Sequence, residues 1–364
     1  MQEMKKARLV LEDGTVYEGT SFGHEEPVAG EVVFYTAMTG YPESLTDPSY
    51  EGQILVPTYP MIGNYGVPAD DERDGISRFF ESSRIHCSAL VISDYSERYS
   101  HWNSRCSLGE WLRRERVPGI HGVDTRALAR RLRERGAMLG KILFDGDDVA
   151  FRDPNAENLV ARVSTREVVE YGSGRYEVIL VDCGVKNNIL RCLLKRDVRV
   201  RRVPWDHDFT REPHDGIFLS NGPGDPARCE ATIEHVRRAL EGDKPVMGIC
   251  LGNQVMARAA GASTYKLKYG HRSHNQPVIR PGSDRCYITS QNHGFAIDER
   301  TLPAAWEPLF VNVNDGTNEG VRHATKPFFS AQFHPEAASG PVDTEFLFDD
   351  FIAAMAAARD NTLL

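Results

Sequence analysis

Apolar and polar positions change rhythm along this chain, and the changes divide it. Residues 7–11 and 15–17 are short runs of strand-forming residues on either side of Glu12-Asp13-Gly14, a turn that predicts a β-hairpin. Residues 31–35, 53–56 and 89–92 are further short apolar runs and are predicted as strands. Between the first two of these, residues 39–49 are rich in Gly, Pro and Asp and predict a loop. From Ser107 the period becomes helical. Leu108, Trp111 and Leu112 share one face, as do Leu128 and Leu132 in a segment that Asp124 or Thr125 would cap.

A polar stretch over residues 151–175 ends in Gly172-Ser173-Gly174 and reads as a linker. Beyond it, strands predicted at 178–181, 198–203, 216–219, 245–249 and 328–333 are interleaved with helices. One helix covers 187–194, one carries Ile233, Val236 and Leu240 ahead of Gly242, and one covers 253–260. Such alternation predicts a parallel sheet wrapped on both faces. The expected fold class is therefore α/β, in two domains. Residues 1–150 form a β-rich α/β domain and residues 176–364 a doubly wound parallel-sheet domain, joined by the linker at 151–175.

Length agrees, since 364 residues are enough for two hydrophobic cores. No apolar run approaches the roughly 18 residues of a membrane span, and the polar start lacks a signal-peptide core, so a cytoplasmic location is expected. A formal net charge of −9 argues against nucleic acid or an anionic membrane as partner. The arginine-rich segment at 126–135 reads as a solvated helix face. Seven scattered cysteines without a CxxC pair support neither a zinc knuckle nor a dithiol redox site, and no metal is expected on the chain. Six of them are expected to fill core space.

Cys250 differs from the rest. In Gly248-Ile249-Cys250-Leu251-Gly252 it stands where an apolar strand turns into a helix, framed by glycines that permit a tight turn. The turn lifts the residue to the C-terminal edge of the sheet, where α/β folds bind ligands. The first amides of the following helix favour its thiolate. A thiolate nucleophile needs a proton handler. The strand ending in His334-Pro335-Glu336 supplies one: residues two apart in an extended segment project the same way, so Glu336 can orient His334. His293 has no carboxylate at a suitable offset and reads as a packing residue. The loop Asn221-Gly222-Pro223-Gly224-Asp225 lacks the lysine of a P-loop and is better placed as amides facing an oxyanion near Cys250.

Three of these segments together, Ser220-Asn221-Gly222-Pro223-Gly224, Gly248-Ile249-Cys250-Leu251-Gly252 and Gln332-Phe333-His334-Pro335-Glu336, resemble the class I, triad-type glutamine amidotransferases. Within that class, Ser290-Gln291-Asn292-His293-Gly294-Phe295 and the run Tyr269-Gly270-His271-Arg272-Ser273-His274-Asn275-Gln276-Pro277 are similar to the small, glutamine-hydrolysing subunit of carbamoyl phosphate synthetase. So are Gly30-Glu31-Val32-Val33-Phe34, Ala37-Met38-Thr39-Gly40-Tyr41-Pro42-Glu43, Thr46-Asp47-Pro48-Ser49-Tyr50 and Asp124-Thr125-Arg126 in the first half. The likeness covers residues 7–351.

The resemblance implies Cys250 as nucleophile, His334 as acid and base, and Glu336 as its orienting partner. It also implies glutamine contacts at Ser49, Gly222, Gly224, Leu251, Gln254, Asn292, Gly294 and Phe295, and a place for Gly340 near the path by which ammonia leaves. It further implies a heteromeric ligase in which the large synthetase subunit is the partner. That partner would bind ATP and Mg, no cofactor would sit on this chain, and carbamoyl phosphate for pyrimidine or arginine synthesis would be the product. The family pattern is broken at Asn253, where most relatives have histidine after the elbow glycine.

Overall fold

The computed structural model describes residues 5–144, 146 and 148–362. The chain forms two compact units, Met1–Glu157 and Asn158–Leu364. Among the described residues no helix is long and apolar enough to cross a membrane.

In the first unit the predicted hairpin is present as β1 (Lys6–Leu11) and β2 (Val16–Ser21), paired antiparallel. With β3 (Val28–Tyr35), β4 (Gln53–Pro57), β5 (Ala89–Val91), β6 (Gly119–His121) and β7 (Met138–Phe144) they close into a barrel in the order β1-β7-β3-β4-β5-β6-β2. β3, β4, β5 and β6 pair in parallel, and both faces of these strands are buried. Val32, Ile54, Val91 and Ile120 join Leu9, Leu128 and Leu132 in one apolar cluster. Their alternates Val33, Leu55 and Leu90 join Leu108, Trp111 and Leu112 in another.

The expected loop at 39–49 is instead mostly helical, as α1 (Tyr41–Thr46) followed by the 3-10 turn Pro48–Tyr50. Its Gly and Pro residues punctuate rather than break. Gly40 takes the left-handed φ of 85° ahead of the helix, and Pro42 sits in the first turn, where its missing N–H costs nothing. The two predicted helices form as α2 (Leu108–Arg114), started by a Ser107/Glu110 capping box, and α3 (Thr125–Arg135), capped by Asp124. On α3 Leu128 and Leu132 are buried while Arg126, Arg130, Arg133 and Arg135 are exposed, the solvated face that the spacing predicts.

The second unit is built on a ten-stranded sheet. Its strands are β8 (Val169–Tyr171), β9 (Tyr176–Asp182), β10 (Val198–Pro204), β11 (Gly216–Leu219), β12 (Val246–Ile249), β13 (Thr264–Ile279), β14 (Cys286–Ile297), β15 (Trp306–Asn312), β16 (Asn318–His323) and β17 (Phe328–Ala331). Their order is β8-β10-β9-β11-β12-β17-β16-β15-β13-β14. The five central strands, β10 to β17, are parallel as predicted. β8 is antiparallel at one edge, so part of the segment expected as linker belongs to the sheet. On the other side β13 to β16 add an antiparallel extension that the sequence pattern does not reveal.

Helices cover both faces of the parallel strands. The helix α4 (Asn187–Leu194) follows β9, α5 (Glu230–Ala239) follows β11, and α6 (Leu251–Ala260) follows β12. Ile233 and Val236 of α5 and Val255 and Met256 of α6 pack with Ile179, Val181, Ile217 and Leu219. On the opposite face Phe218 stacks on Phe348 and meets Phe351 edge-on, both from α7 (Phe346–Thr362).

Candidate active site

The ends of β9, β11, β12 and β17 meet at one edge of the sheet, and Cys250 occupies the turn between β12 and α6. Its backbone has φ 54° and ψ −105°, a conformation that non-glycine residues adopt only under constraint. The constraint is visible. The Cys250 N–H donates to the Ala331 carbonyl of β17 at 2.8 Å. A Cβ on Gly248 would stand 2.6 Å from the Gly252 carbonyl oxygen, and one on Gly252 would stand 2.2 Å from that of Leu219. Only glycine at both places lets the helix start this close to the strands. The thiol is 2% exposed and lies 3.6 Å from the Asn292 carbonyl oxygen of β14.

The proton handler comes from the neighbouring strand end. His334 donates its backbone N–H to Ser290 at 2.9 Å, which ties the loop after β17 to β14. Its Nδ1 lies 2.7 Å from Glu336 Oε1. A carboxylate only accepts, so Nδ1 carries the proton and Nε2 is left for the reacting group. Nε2 faces the Cys250 sulfur, which acts on the ring by hydrogen bonding and by charge. Burial lowers the His334 pKa, but the Glu336 charge and Cys250 outweigh it and lift the value to about 10. Cys250, His334 and Glu336 are each about 2% exposed.

Glu336 is itself held by a residue that the sequence patterns do not single out. Lys186 follows the end of β9 and is buried, with Nζ 3.2 Å from Glu336 Oε1 and a bond to the Ala337 carbonyl. Burial raises the Glu336 pKa, yet Lys186 and His334 pull it down to about 2. The Asn188 side chain donates to the Glu336 backbone carbonyl. A lysine two residues past Asp182-Cys183-Gly184 is the one available signal, and sequence spacing alone does not tell a buried amine from a solvated one.

The residues expected to bind glutamine fall into two groups. Leu251 opens α6, whose first-turn N–H groups lack intrahelical acceptors. Gly222 lies against that start: its Cβ would be 2.1 Å from the Cys183 carbonyl oxygen and 2.9 Å from Leu251 Cδ2. Gly224 follows in the same loop with φ 82°. Gln254 donates Nε2 to the Phe295 carbonyl at 2.8 Å and to Gln332 Oε1 at 3.0 Å. Asn292, Gly294 and Phe295 are consecutive or alternate positions on β14. Ser49, by contrast, belongs to the first unit, buried in the 3-10 turn after α1 with its N–H on Asp47 Oδ1 at 2.9 Å.

Asn253 is fully buried, donating to Gln332 Oε1 at 3.0 Å and accepting from Ser330 Oγ at 2.7 Å. It cross-links α6 to the strand that leads to His334. His293 stands apart from the sulfur: its ring meets Phe295, Gln291 and Glu319, and burial pushes its pKa well down. The carboxylate near its ring is Glu319, remote in sequence, and not one on its own strand. Gly340 has φ 135°, and a Cβ there would come 3.1 Å from Ser290 Cβ and 3.5 Å from His274 Cγ.

A parallel sheet with a cysteine elbow, a histidine–carboxylate pair on the next strand end and a glycine loop beside the elbow defines a class I glutamine amidotransferase domain. The sequence profile described as glutamine amidotransferase class-I matches residues 179–354, and that of the carbamoyl-phosphate synthase small chain, CPSase domain, matches residues 9–142. The chain belongs to the carbamoyl-phosphate synthase small-chain family. It is 52% identical over 362 residues to the carbamoyl-phosphate synthase [ammonia], mitochondrial, of Homo sapiens, covering 98% of this chain and 24% of that protein. It is 48% identical to the multifunctional protein ura1 of Schizosaccharomyces pombe, covering 99% and 18%, and 50% identical to the multifunctional protein URA2 of Saccharomyces cerevisiae, covering 95% and 17%. The chain thus spans a quarter or less of the length of these relatives.

Proposed function

We propose that this chain hydrolyses glutamine to glutamate and ammonia, and passes the ammonia to a carbamoyl phosphate synthetase activity. The observation that carries this reading is the buried line from Glu336 through His334 to Cys250, with Nδ1 fixed on the carboxylate and Nε2 left for the sulfur.

In this mechanism the Cys250 thiolate attacks the carboxamide carbon of glutamine. The amide of Leu251 and those of the loop around Gly222 and Gly224 stabilise the oxyanion. His334 delivers its Nε2 proton to the departing nitrogen, which leaves as ammonia, and a γ-glutamyl thioester remains on Cys250. His334 then takes a proton from water, hydroxide attacks the thioester carbonyl, and glutamate leaves as the thiolate is restored. Gln254, Asn292, Gly294 and Phe295 are the proposed contacts that orient the substrate.

The synthetase is assigned to polypeptide outside this sequence, because three quarters or more of each relative lies beyond the matched region. ATP and Mg would bind there, with bicarbonate as the carbon source and a large synthetase subunit or domain as partner. Ammonia in bulk water at neutral pH is mostly ammonium, a poor nucleophile, so transfer inside the assembly is favoured. A cytoplasmic place is the simplest setting, although the human relative is named mitochondrial.

A second reading follows from that relative's name, which specifies ammonia. A chain of this family fed by free ammonia would need no working glutaminase. The complete set of Cys250, His334, Glu336 and Lys186 supports glutamine use here. The two readings separate on glutamate release by the wild-type chain and by Cys250→Ser, each alone and with a synthetase partner, ATP and bicarbonate. Release that disappears in the variant and accelerates with the partner supports hydrolysis; no release under any condition supports the ammonia reading.

A further inference from the structure

Three buried side chains outside the catalytic line converge on one point of the antiparallel extension. They are His271 on β13, His293 on β14 and Glu319 on β16, and one ligand atom of each lies within 4.8 Å of the other two. Gln291, on the same face of β14 as His293, adds a fourth. His271 Nδ1 is 3.0 Å from Gln291 Oε1 and 3.2 Å from Glu319 Oε1. His293 Nε2 is 3.2 Å from Gln291 Oε1 and 3.8 Å from Glu319 Oε1. A tetrahedron with bonds of roughly 2.0–2.1 Å has edges of roughly 3.3–3.4 Å, and the four measured separations straddle that value.

Hydrogen-bond accounting says what belongs at the centre. His293 Nδ1 contacts the Phe295 carbonyl at 2.8 Å, which can only accept, so Nδ1 holds the proton and Nε2 presents a lone pair. His271 Nε2 contacts Asp315 Oδ2 at 2.9 Å, so by the same reasoning its outer nitrogen is the donor. The Gln291 amide is oriented too. Its Nε2 donates to Thr289 Oγ1 at 3.2 Å, because the Thr289 hydroxyl proton is committed to the Gln276 carbonyl at 2.8 Å. Gln291 Oε1 therefore points inward as an acceptor.

Four acceptor-type atoms face one another; Asn312 Nδ2 donates to Glu319 Oε1 at 3.1 Å, and a single proton on His271 Nδ1 serves Glu319 Oε1 or Gln291 Oε1. It leaves His293 Nε2 facing two oxygens with no donor. Glu319 is fully buried, and its Oε2 has no hydrogen-bond partner among the described residues. A small cation at the centre gives the His293 Nε2 lone pair a partner and is met at once by His271 Nδ1, Gln291 Oε1 and Glu319 Oε1. Each imidazole also has its outer nitrogen tied to a carboxylate or a carbonyl, the arrangement that fixes metal-binding histidines.

We propose that His271, His293, Glu319 and Gln291 bind one divalent transition-metal ion of the zinc type, the class that two imidazoles, a carboxylate and a carbonyl oxygen in near-tetrahedral array suit. The role is structural. The ion joins β13, β14 and β16 across a stretch where β13 and β14 lose register, between Lys266 and His271 and between Ser273 and Gln276. It thereby fixes the strand on which Asn292 stands between two ligand positions, with its carbonyl beside the Cys250 sulfur.

The test uses the full chain, stripped with a chelator and titrated with Co(II), then with Zn(II). The expected result is one Co(II) per chain with the visible ligand-field bands of a four-coordinate N/O site, no thiolate charge-transfer band, and displacement by Zn(II). Glu319→Gln should abolish the bands. Asp315→Asn, at a half-exposed outer partner, should weaken binding about 10–100-fold with the circular dichroism unchanged. Three results would overturn the proposal: no stoichiometric binding by a natively folded wild-type chain, wild-type affinity in both variants, or a thiolate band that places the ion on cysteines.

Discussion

Glu336 is surrounded by Lys186 Nζ at 3.2 Å and His334 Nδ1 at 2.7 Å, and this three-charge group governs the His334 proton. Its pH dependence has a definite sign. The His334 pKa is raised from 6.5 to about 10, so its stabilising contribution is complete below about 6.5 and is lost as the pH rises towards 10. The Glu336 pKa is lowered from 4.5 to about 2, so its contribution is complete above about 4.5 and is lost as the pH falls towards 2. The melting-temperature difference between the wild type and Glu336→Gln should therefore be largest between about pH 4.5 and 6.5 and shrink on either side. The same variant should lower the His334 pKa, read from the imidazole NMR shifts. Lys186→Met removes the cation behind the carboxylate. It should reduce kcat for glutamine by about 10–100-fold with a smaller change in KM, given about 1.5–3 kcal/mol for a bond to a charged group. Cys250, His334 and Glu336 are legible in the sequence because each ends an apolar strand with its own punctuation. Lys186 is not, because its partners Glu336 and Ala337 lie in the loop after β17, remote in sequence.

The elbow depends on elements approaching more closely than a side chain allows. Gly252→Ala would place Cβ 2.2 Å from the Leu219 carbonyl of β11, a rigid neighbour that cannot rotate away. Overpacking of this kind costs about 1–3 kcal/mol or more, so chemical denaturation of Gly252→Ala should show a lower midpoint and a weakened glutaminase. Gly282→Ala, at a turn with open space around it and φ 79°, should cost little beyond backbone strain and serves as the comparison. The parallel strands are readable from sequence since burial on both faces makes them continuous apolar runs. β13 and β14 escape such reading for a physical reason. Two register shifts break their period of two, and their buried positions include His271, Arg272, Ser273, Gln291 and His293. Polar residues inside a strand defeat a hydrophobic pattern. At 39–49, Gly and Pro were informative about where a helix starts, not about whether one exists.

For the whole molecule, two compact units coincide with two family profiles, at residues 9–142 and 179–354. The change of rhythm along the chain predicts two domains joined by a linker at 151–175, and β8, within that stretch, pairs with the second unit's sheet. Ser49 is the one expected glutamine contact in the first unit. The coupling of glutaminase to carbamoyl phosphate synthesis also belongs to this scale. Cys250→Ser in complex with a synthetase partner should lose glutamine-dependent synthesis and keep the ammonia-dependent reaction.

The central claim is that Cys250 carries the glutamyl group during turnover. Acid-quenching the chain during glutamine hydrolysis, then mapping peptides by mass spectrometry, tests it most directly. A γ-glutamyl adduct is expected on the Cys250 peptide, and both it and glutamate release should be absent in Cys250→Ser. Undiminished glutamate release by Cys250→Ser, or turnover with the adduct on another residue, would contradict it.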